Sequence, residues 1–516
     1  MKSTELRWRA GCKKLAALIT LFVIVSGAQA TTKPRAGGVL RVEFLASSAT
    51  LDPRAWKSGS RDFATNERIA SLVFDRLVAL DNYGRFVPQL STEWTHDAAF
   101  RRWQFTVRLD VKFSDGAPFS AADAASALAP LLPEDLKVTA SGSNVIFQSA
   151  EPRPDLLEIL SSGRYFVYRA MPDGVLTGTG PFTLDDASKG FKPVAGDAAP
   201  NNQHLRFSAN DSCWAGRPFL DAVDVSLGVP PLRALFDLQV GRAELVELAP
   251  DIARRATQSN TRVWASSPLT LYALRFDGGQ PQSENVILRE ALALSLDRTT
   301  MAGVLLQKQG EPAAALLPQW LSGYAFLFRA EMDIERAKRL RASLSANVAA
   351  GTSPLRVQPQ APSDVARLLA ERVAVNARQA GLSVQPLAKT GARDGSSRAA
   401  DAADMHLFVW RYSSLSPGEE LREFARLELA KDSKESNVAD PDRRYAWERK
   451  ILEERKLIPL VALPDYAGLA PTVRDWQPSA WGEWRLADVW LEPAGAQPAV
   501  TRNASPAVTA APGVRP

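Results

Sequence analysis

Cysteine and histidine are scarce in this 516-residue chain, and their scarcity removes whole classes of chemistry. Only Cys12 and Cys213 occur, and Cys12 falls within the amino-terminal leader described below. Cys213 is then alone, so no internal disulfide can form and the fold must rest on packing. Its surroundings, Asn210-Asp211-Ser212-Cys213-Trp214-Ala215-Gly216, read as a loop, and a reactive free thiol would oxidise outside the cytoplasm. His96, His204 and His406 lie far apart, with no i, i+4 pair and no CxxC, so no zinc site is expected. The chain also has no GxSxG nucleophile elbow. Gly178-Thr179-Gly180 lacks a third glycine and runs into Pro181, which makes a dinucleotide loop a poor reading. Neither enzymatic activity nor a metal or cofactor is expected.

Long apolar runs and a charge imbalance are missing too. The sequence pI near 9.1 suggests an anionic partner. However, Lys2, Arg7, Arg9, Lys13 and Lys14 stand against only Glu5 in the first 30 residues, so 57 of the 62 bases and 56 of the 57 acids remain beyond them. No nucleic-acid partner follows from so even a balance. The apolar run Leu15–Val25 is shorter than the roughly 20 residues of a membrane-spanning helix. With its cationic start and the small-x-small Ala28-Gln29-Ala30, it reads as a signal peptide cleaved after Ala30. Thr31-Thr32 follows where a lipid-acceptor Cys would be needed, so a soluble, periplasmic form is expected.

What is present is an ordinary globular composition, 46% hydrophobic and 23% charged, in a chain long enough for two or three domains. Leu72 to Leu128 holds the most information. Ile69, Leu72, Val73, Leu77 and Leu80 recur at helical spacing up to the turn Asp81-Asn82-Tyr83-Gly84. Trp103, Phe105, Val107 and Leu109 then alternate with polar residues as in a half-buried strand. Asp115-Gly116 is a turn, and Ser120 with Asp123 forms a capping box that opens a helix. Further on, Leu355–Val357 reads as a strand and Ser363 caps a helix stopped by Gly381. Asp440-Pro441 opens a helix through Lys456, and Ile458–Leu463 reads as a buried strand. Gly391–Ala403 reads as an exposed loop, and the Pro/Ala-rich segment after residue 492 as disordered.

The order Leu77, Asp81, Gly84, Pro88, Leu90, Trp94, then Phe105 and Leu109-Asp110-Val111-Lys112-Phe113-Ser114-Asp115-Gly116, then Ala122-Asp123, resembles the family 5 extracellular solute-binding proteins. These are substrate receptors of peptide and nickel ABC importers. Gly178–Leu184 and the helix Leu288–Arg298 are similar to further landmarks of that family. The resemblance implies an α/β, two-lobed periplasmic-binding-protein-like fold of class II type with an extra inserted domain. The first lobe would comprise 31–74, 178–275 and 481–492, the inserted domain 75–177 and the second lobe 276–480, with a tail at 493–516. It further implies a monomer that binds a peptide or other small polar solute between the lobes and delivers it to a membrane ABC permease complex. The alternative is a degenerate receptor that serves as a sensing or interaction scaffold without transport.

Dipeptide-binding members of the family carry W-x-x-D-x-x-D-P, where the first Asp pairs with the peptide ammonium. Here Trp410 and Pro417 are kept, but Ser413 and Ser416 replace both aspartates. A hydroxyl offers no compensating charge, so anchoring of a free amino terminus is not expected. Trp410, Arg411, Tyr412 and Ser413 are the candidate ligand residues, with Arg411 and Tyr412 suited to an anionic, sugar-like or aromatic ligand. By the same resemblance, Ser58, Gly59 and Ser60 would contribute from the first lobe.

Overall fold

The central strands Leu457–Leu469 and Met405–Arg411 are buried along nearly their whole length, as strands covered on both faces must be, whereas Gln203–Ala209 alternates buried apolar with more exposed polar residues. The computed structural model describes residues 33–60, 62–172, 174–185, 203–276, 281–344, 354–360, 363–387, 403–427 and 440–493. The expected signal peptide, nearly all of the expected loop 391–403 and the tail after residue 493 lie outside the described residues. From Gly37 onward the chain forms one contact unit. Its main sheet runs Phe182–Leu184, Gln203–Ala209, Ala222–Leu227, Val39–Glu43, Leu245–Leu248, Leu457–Leu469, Arg262–Phe276, Met405–Arg411, Leu355–Pro359, Val384–Pro386. Val39–Glu43 is parallel to both neighbours, as is Leu355–Pro359, so each end of the sheet has α/β character.

Two lobes are distinguished by their cores. Leu40, Phe63, Phe182 and Val246 share one apolar cluster with Phe105 and Phe147 of the inserted domain. The second lobe has a cluster on each face of its sheet. Tyr272 and Leu274 point into one with Leu292, Leu369 and Met405, and Leu271 and Ala273 into the other with Trp410, Phe424 and Ile451. The described chain passes between the lobes within the long strands Arg262–Phe276 and Leu457–Leu469. Tyr466, Leu469 and Val473 pack in the first cluster, whereas Ala462 and Leu463 pack in those of the second lobe, so along Leu457–Leu469 the core changes between residues 463 and 466. Pro268 faces Pro464 there, between two register shifts. Proline has no N–H to give to the ladder, so the sheet is weakest where the lobes meet.

The local signals were informative. Ser120 and Asp123 form a reciprocal capping box on helix Ala121–Leu128. Ser363 caps Asp364–Gln379, and Asp440 caps Pro441–Glu453, which stops short of Lys456. The family-like arginines of the helix Val286–Ser295 and its exit are buried scaffolding: Arg289 donates to the Glu454 carbonyl and Arg298 to that of Pro459. Two expectations need correction. Leu109 is 81% exposed, because its strand ends at Val107. The helix expected to run to Leu80 spans Asp62–Val73, and Val78–Leu80 pairs instead as a strand with Phe86–Pro88. The cause lies a hundred residues away. Gly180 donates its N–H to the Val73 carbonyl, and a Cβ on Gly178 would sit 2.1 Å from that same oxygen. The buried Asp75 side chain then accepts from Gln89, Thr179 and Trp214, turning the chain out of the helix.

Gly178→Ala should therefore destabilise the protein by about 1–3 kcal/mol, the usual cost of forcing an extra carbon into packed structure. Gly303→Ala, where a Cβ meets nothing within 4 Å, should melt like the parent. Equal melting of the two variants would contradict this account of the helix end.

Candidate ligand-binding cleft

The second lobe meets the first body along a seam made by residues 411–419, and the seam is flanked by two small cavities. Trp410 ends the strand Met405–Arg411 and is buried between Phe408 and Phe424, with ring centroids at 5.7 and 4.5 Å. Gly59 lies over its indole so closely that a Cβ would come within 2.3 Å of the ring. Beyond it, the chain turns into the helix Pro417–Ala425, capped by Ser416. The fully buried Glu420 of that helix organises the turn. One oxygen accepts from the Ser413 and Ser414 N–H groups at 2.5 and 2.7 Å and from the Ser413 hydroxyl at 3.1 Å, while the other accepts from Trp410 Nε1 at 3.0 Å. Burial pushes the Glu420 carboxyl up, and these four donors act against it.

Arg411 is also engaged by protein. It donates to the Tyr412 carbonyl at 2.7 Å and to Asp465 at 2.9 Å, and its N–H meets the Gly59 carbonyl at 3.1 Å. Asp465 takes a second guanidinium, Arg68, at 2.6 Å. Burial alone would raise the Asp465 carboxyl, but Arg411 and Arg68 outweigh it and hold the group below its ordinary range. Tyr412 is fixed by its hydroxyl, 2.5 Å from the Leu316 carbonyl.

The larger of these two seam cavities, about 90 Å³, is the candidate chamber of the cleft. Ser58 and Arg164 reach it from the first body, Ser413 and Ser414 from the turn, and Glu420 and Glu423 from the helix. Not all of its charged groups stand in ion pairs. Glu419 is bonded to Arg153, Glu420 to the turn and Glu423 to Arg426. Arg164 donates only to the Ser58 hydroxyl, at 2.8 Å, and among the described residues it has no ion pair. Among the described residues, Arg164 and Glu420, the latter held by neutral donors alone, are thus the two charged groups of the chamber outside an ion pair. A second cavity, about 30 Å³, lies on the other side of the turn between Tyr412, Trp320 and Trp481.

Of the residues singled out from sequence, Ser58 and Ser413 line the chamber and Tyr412 lines the smaller cavity. Gly59, Trp410 and Arg411 are brought to the same seam but stand behind its wall, and Ser60 accepts the Phe63 N–H as the helix Asp62–Val73 begins. Arg164 was not singled out. It follows Gly163, which adopts φ +61° and packs against the Ser413 carbonyl, and that glycine was the one local signal of a close approach. Among the described residues no cluster of three His, Cys, Asp or Glu side chains could hold a metal ion. Also among them, no helix is long and apolar enough to cross a membrane.

A cleft with a small polar chamber between two α/β lobes defines a solute-binding protein. The chain matches the model of the bacterial extracellular solute-binding proteins, family 5, over residues 85–426, and it belongs to that family. The nickel-binding periplasmic protein of Escherichia coli is 22% identical over 409 residues, covering 71% of this chain and 74% of that one. A probable di/tripeptide-binding protein of Pseudomonas aeruginosa is 23% identical over 346 residues, 60% of this chain and 65% of that one. Among solved structures, NikA from Brucella suis in complex with Fe(III)-EDTA superposes with TM-score 0.69 at 19% identity, covering 88% of this chain and 100% of that one. A Pseudoalteromonas dipeptide-binding protein in complex with Met-Leu gives TM-score 0.69 at 16% identity, with coverage of 88% and 100%. These likenesses establish the two-lobed periplasmic-binding-protein fold.

Asp465→Asn should cost about 3–5 kcal/mol at neutral pH, because it strips a shared carboxylate from two buried guanidiniums. Since the folded carboxyl is held low, its contribution is complete above the unfolded value of about 3.9 and fades as pH falls through the folded one. The melting gap between parent and variant should accordingly narrow below about pH 4; a gap that widens there would reverse the assignment. Trp410→Ala should lower the melt of the protein without added solute by about 3–5 kcal/mol, as for a buried aromatic. An unchanged melt would show that the ring belongs to the cleft.

Proposed function

We propose that the protein is an exported, periplasmic substrate-binding receptor of an ABC importer, released after Ala30, that closes its lobes on a small anionic solute and presents it to a membrane permease. Transport, with no catalytic step, is the role that the family membership supports. The observation that carries the ligand class is Arg164: Glu419 and Glu423 are paired with arginines, Glu420 is turned to the neutral donors of the turn and Trp410, and among the described residues this guanidinium has only a hydroxyl partner. A buried or half-buried cation gains most from a carboxylate or phosphate that it can meet with two parallel N–H bonds. Ser58, which holds Arg164 from the first lobe, and Ser413 and Ser414, from the second, add hydroxyls on either side.

Size narrows the class. About 90 Å³ is less than the ~150 Å³ of a cavity that takes up benzene, so the chamber suits a compact polar group rather than a peptide threaded through it. A small carboxylic acid, or an anionic chelate that reaches the chamber with one carboxylate, fits this description. The chelate form accords with the relatives named for nickel and Fe(III)-EDTA. Ser413 in place of a free carboxylate, and the engagement of Glu420, both argue against an ammonium anchor.

A melting screen tests this with small mono- and dicarboxylates, nickel with histidine, and short peptides beside their amino-acetylated forms. A ligand at a hundred times its dissociation constant should add about 2.7 kcal/mol. Arg164→Met should abolish that shift and leave the melt without solute near the parent value. Stabilisation that survives Arg164→Met, or that requires a free amino group, would refute the anionic reading.

A further inference from the structure

The inserted domain touches the second lobe through bonds that do not involve Arg164. Arg153, 2% exposed, donates to Glu419 at 2.7 Å. Asp155 accepts from the Ser416 hydroxyl at 2.6 Å, at the very cap of the helix that carries Glu419 and Glu420. The Ser162 hydroxyl accepts the Leu415 N–H at 3.1 Å. Gly163 lies so near the Ser413 carbonyl that a Cβ would be 2.5 Å from it. Because the inserted domain shares its core with the first lobe and the second lobe has cores of its own, each of these contacts spans the cleft.

The groups on both sides have a second property. If the lobes part, Arg153 keeps Asp135 and Asp155, at 3.3 and 3.5 Å, and Glu419 keeps Arg422. The Ser416 hydroxyl still accepts the Glu419 N–H. The backbone of Arg153 is held within its own domain, by Phe100 through its N–H and by Trp103 Nε1 on its carbonyl. Breaking the contact therefore orphans no buried charge, which is what a bond that must form and release repeatedly requires.

We propose that residues 153–163 of the inserted domain form a releasable clasp on residues 413–419 of the second lobe, with the Arg153–Glu419 pair as its pin, and that the clasp favours closure independently of solute. Solute binding then adds to an equilibrium already biased by the protein, and the clasp sets how much of the solute's interaction energy closure consumes.

Distances between spin labels test it without any solute. The full exported chain, with Cys213→Ser, is labelled at Leu232→Cys on the first lobe and Val375→Cys on the second, both exposed positions. The parent should give one dominant short distance. Arg153→Met with Glu419→Gln should raise the ratio of a longer to the short population by roughly tenfold, the scale of one charge-assisted hydrogen bond. If that pair fails to fold, as judged by its melt, Asp155→Asn with Ser416→Ala is read in its place and should shift the ratio in the same direction. An unchanged distribution in the folded variant, or a parent already dominated by the long distance, overturns the clasp.

Discussion

One carboxylate holds the joint of this molecule. Asp465 sits on the strand Leu457–Leu469 where the sheet passes between lobes, and it binds Arg68 from the first lobe and Arg411 from the second. Arg68 in turn reaches Glu247 and lies over the Trp484 ring, 4.4 Å from its centroid, while Trp484 stacks on Phe44. Two guanidiniums on one anion are tolerable only because each has further partners, and the low dielectric around them makes the arrangement costly to break. Next to it, Pro268 faces Pro464 and the ladder loses its regularity. The charge node and the interrupted ladder thus lie side by side on the same pair of strands.

The seam between the lobes follows from that joint. With Arg411 pinned to Asp465, its backbone N–H meets Gly59, Trp410 lies under that glycine, and the turn after it is drawn over Glu420. Trp410 and Arg411, which the motif comparison assigns to ligand recognition, are thus engaged in building the wall, while Ser58 and Ser413 line the chamber. Arg164 is left facing the chamber, held in place by Ser58.

How much of this was legible depended on distance along the chain. The cap at Ser120–Asp123, the turn at Gly116, the cap at Ser363 and the Asp440-Pro441 helix start each lie within four residues of their cause, and the sequence alone located them. The ordered motif from Leu77 to Asp123 was long enough to identify the family and hence the two-lobed fold. The end of the helix Asp62–Val73 was not legible, because Gly178 and Gly180 impose it from across the inserted domain. Arg164 escaped for the same reason: its partner is 106 positions away, and its lack of a carboxylate is a property of the folded neighbourhood. Trp410 reads identically in sequence whether it faces a cleft or a core, and only the position of Gly59 decides between them.

The central claim is that the cleft takes a small anion at Arg164, and native mass spectrometry of the protein purified gently from its exported form addresses it most directly. The account predicts a low-mass adduct that carries a carboxylate or another anionic group, present on the parent and missing from Arg164→Met. A cationic or neutral adduct, or the same adduct retained in full by Arg164→Met, would contradict it.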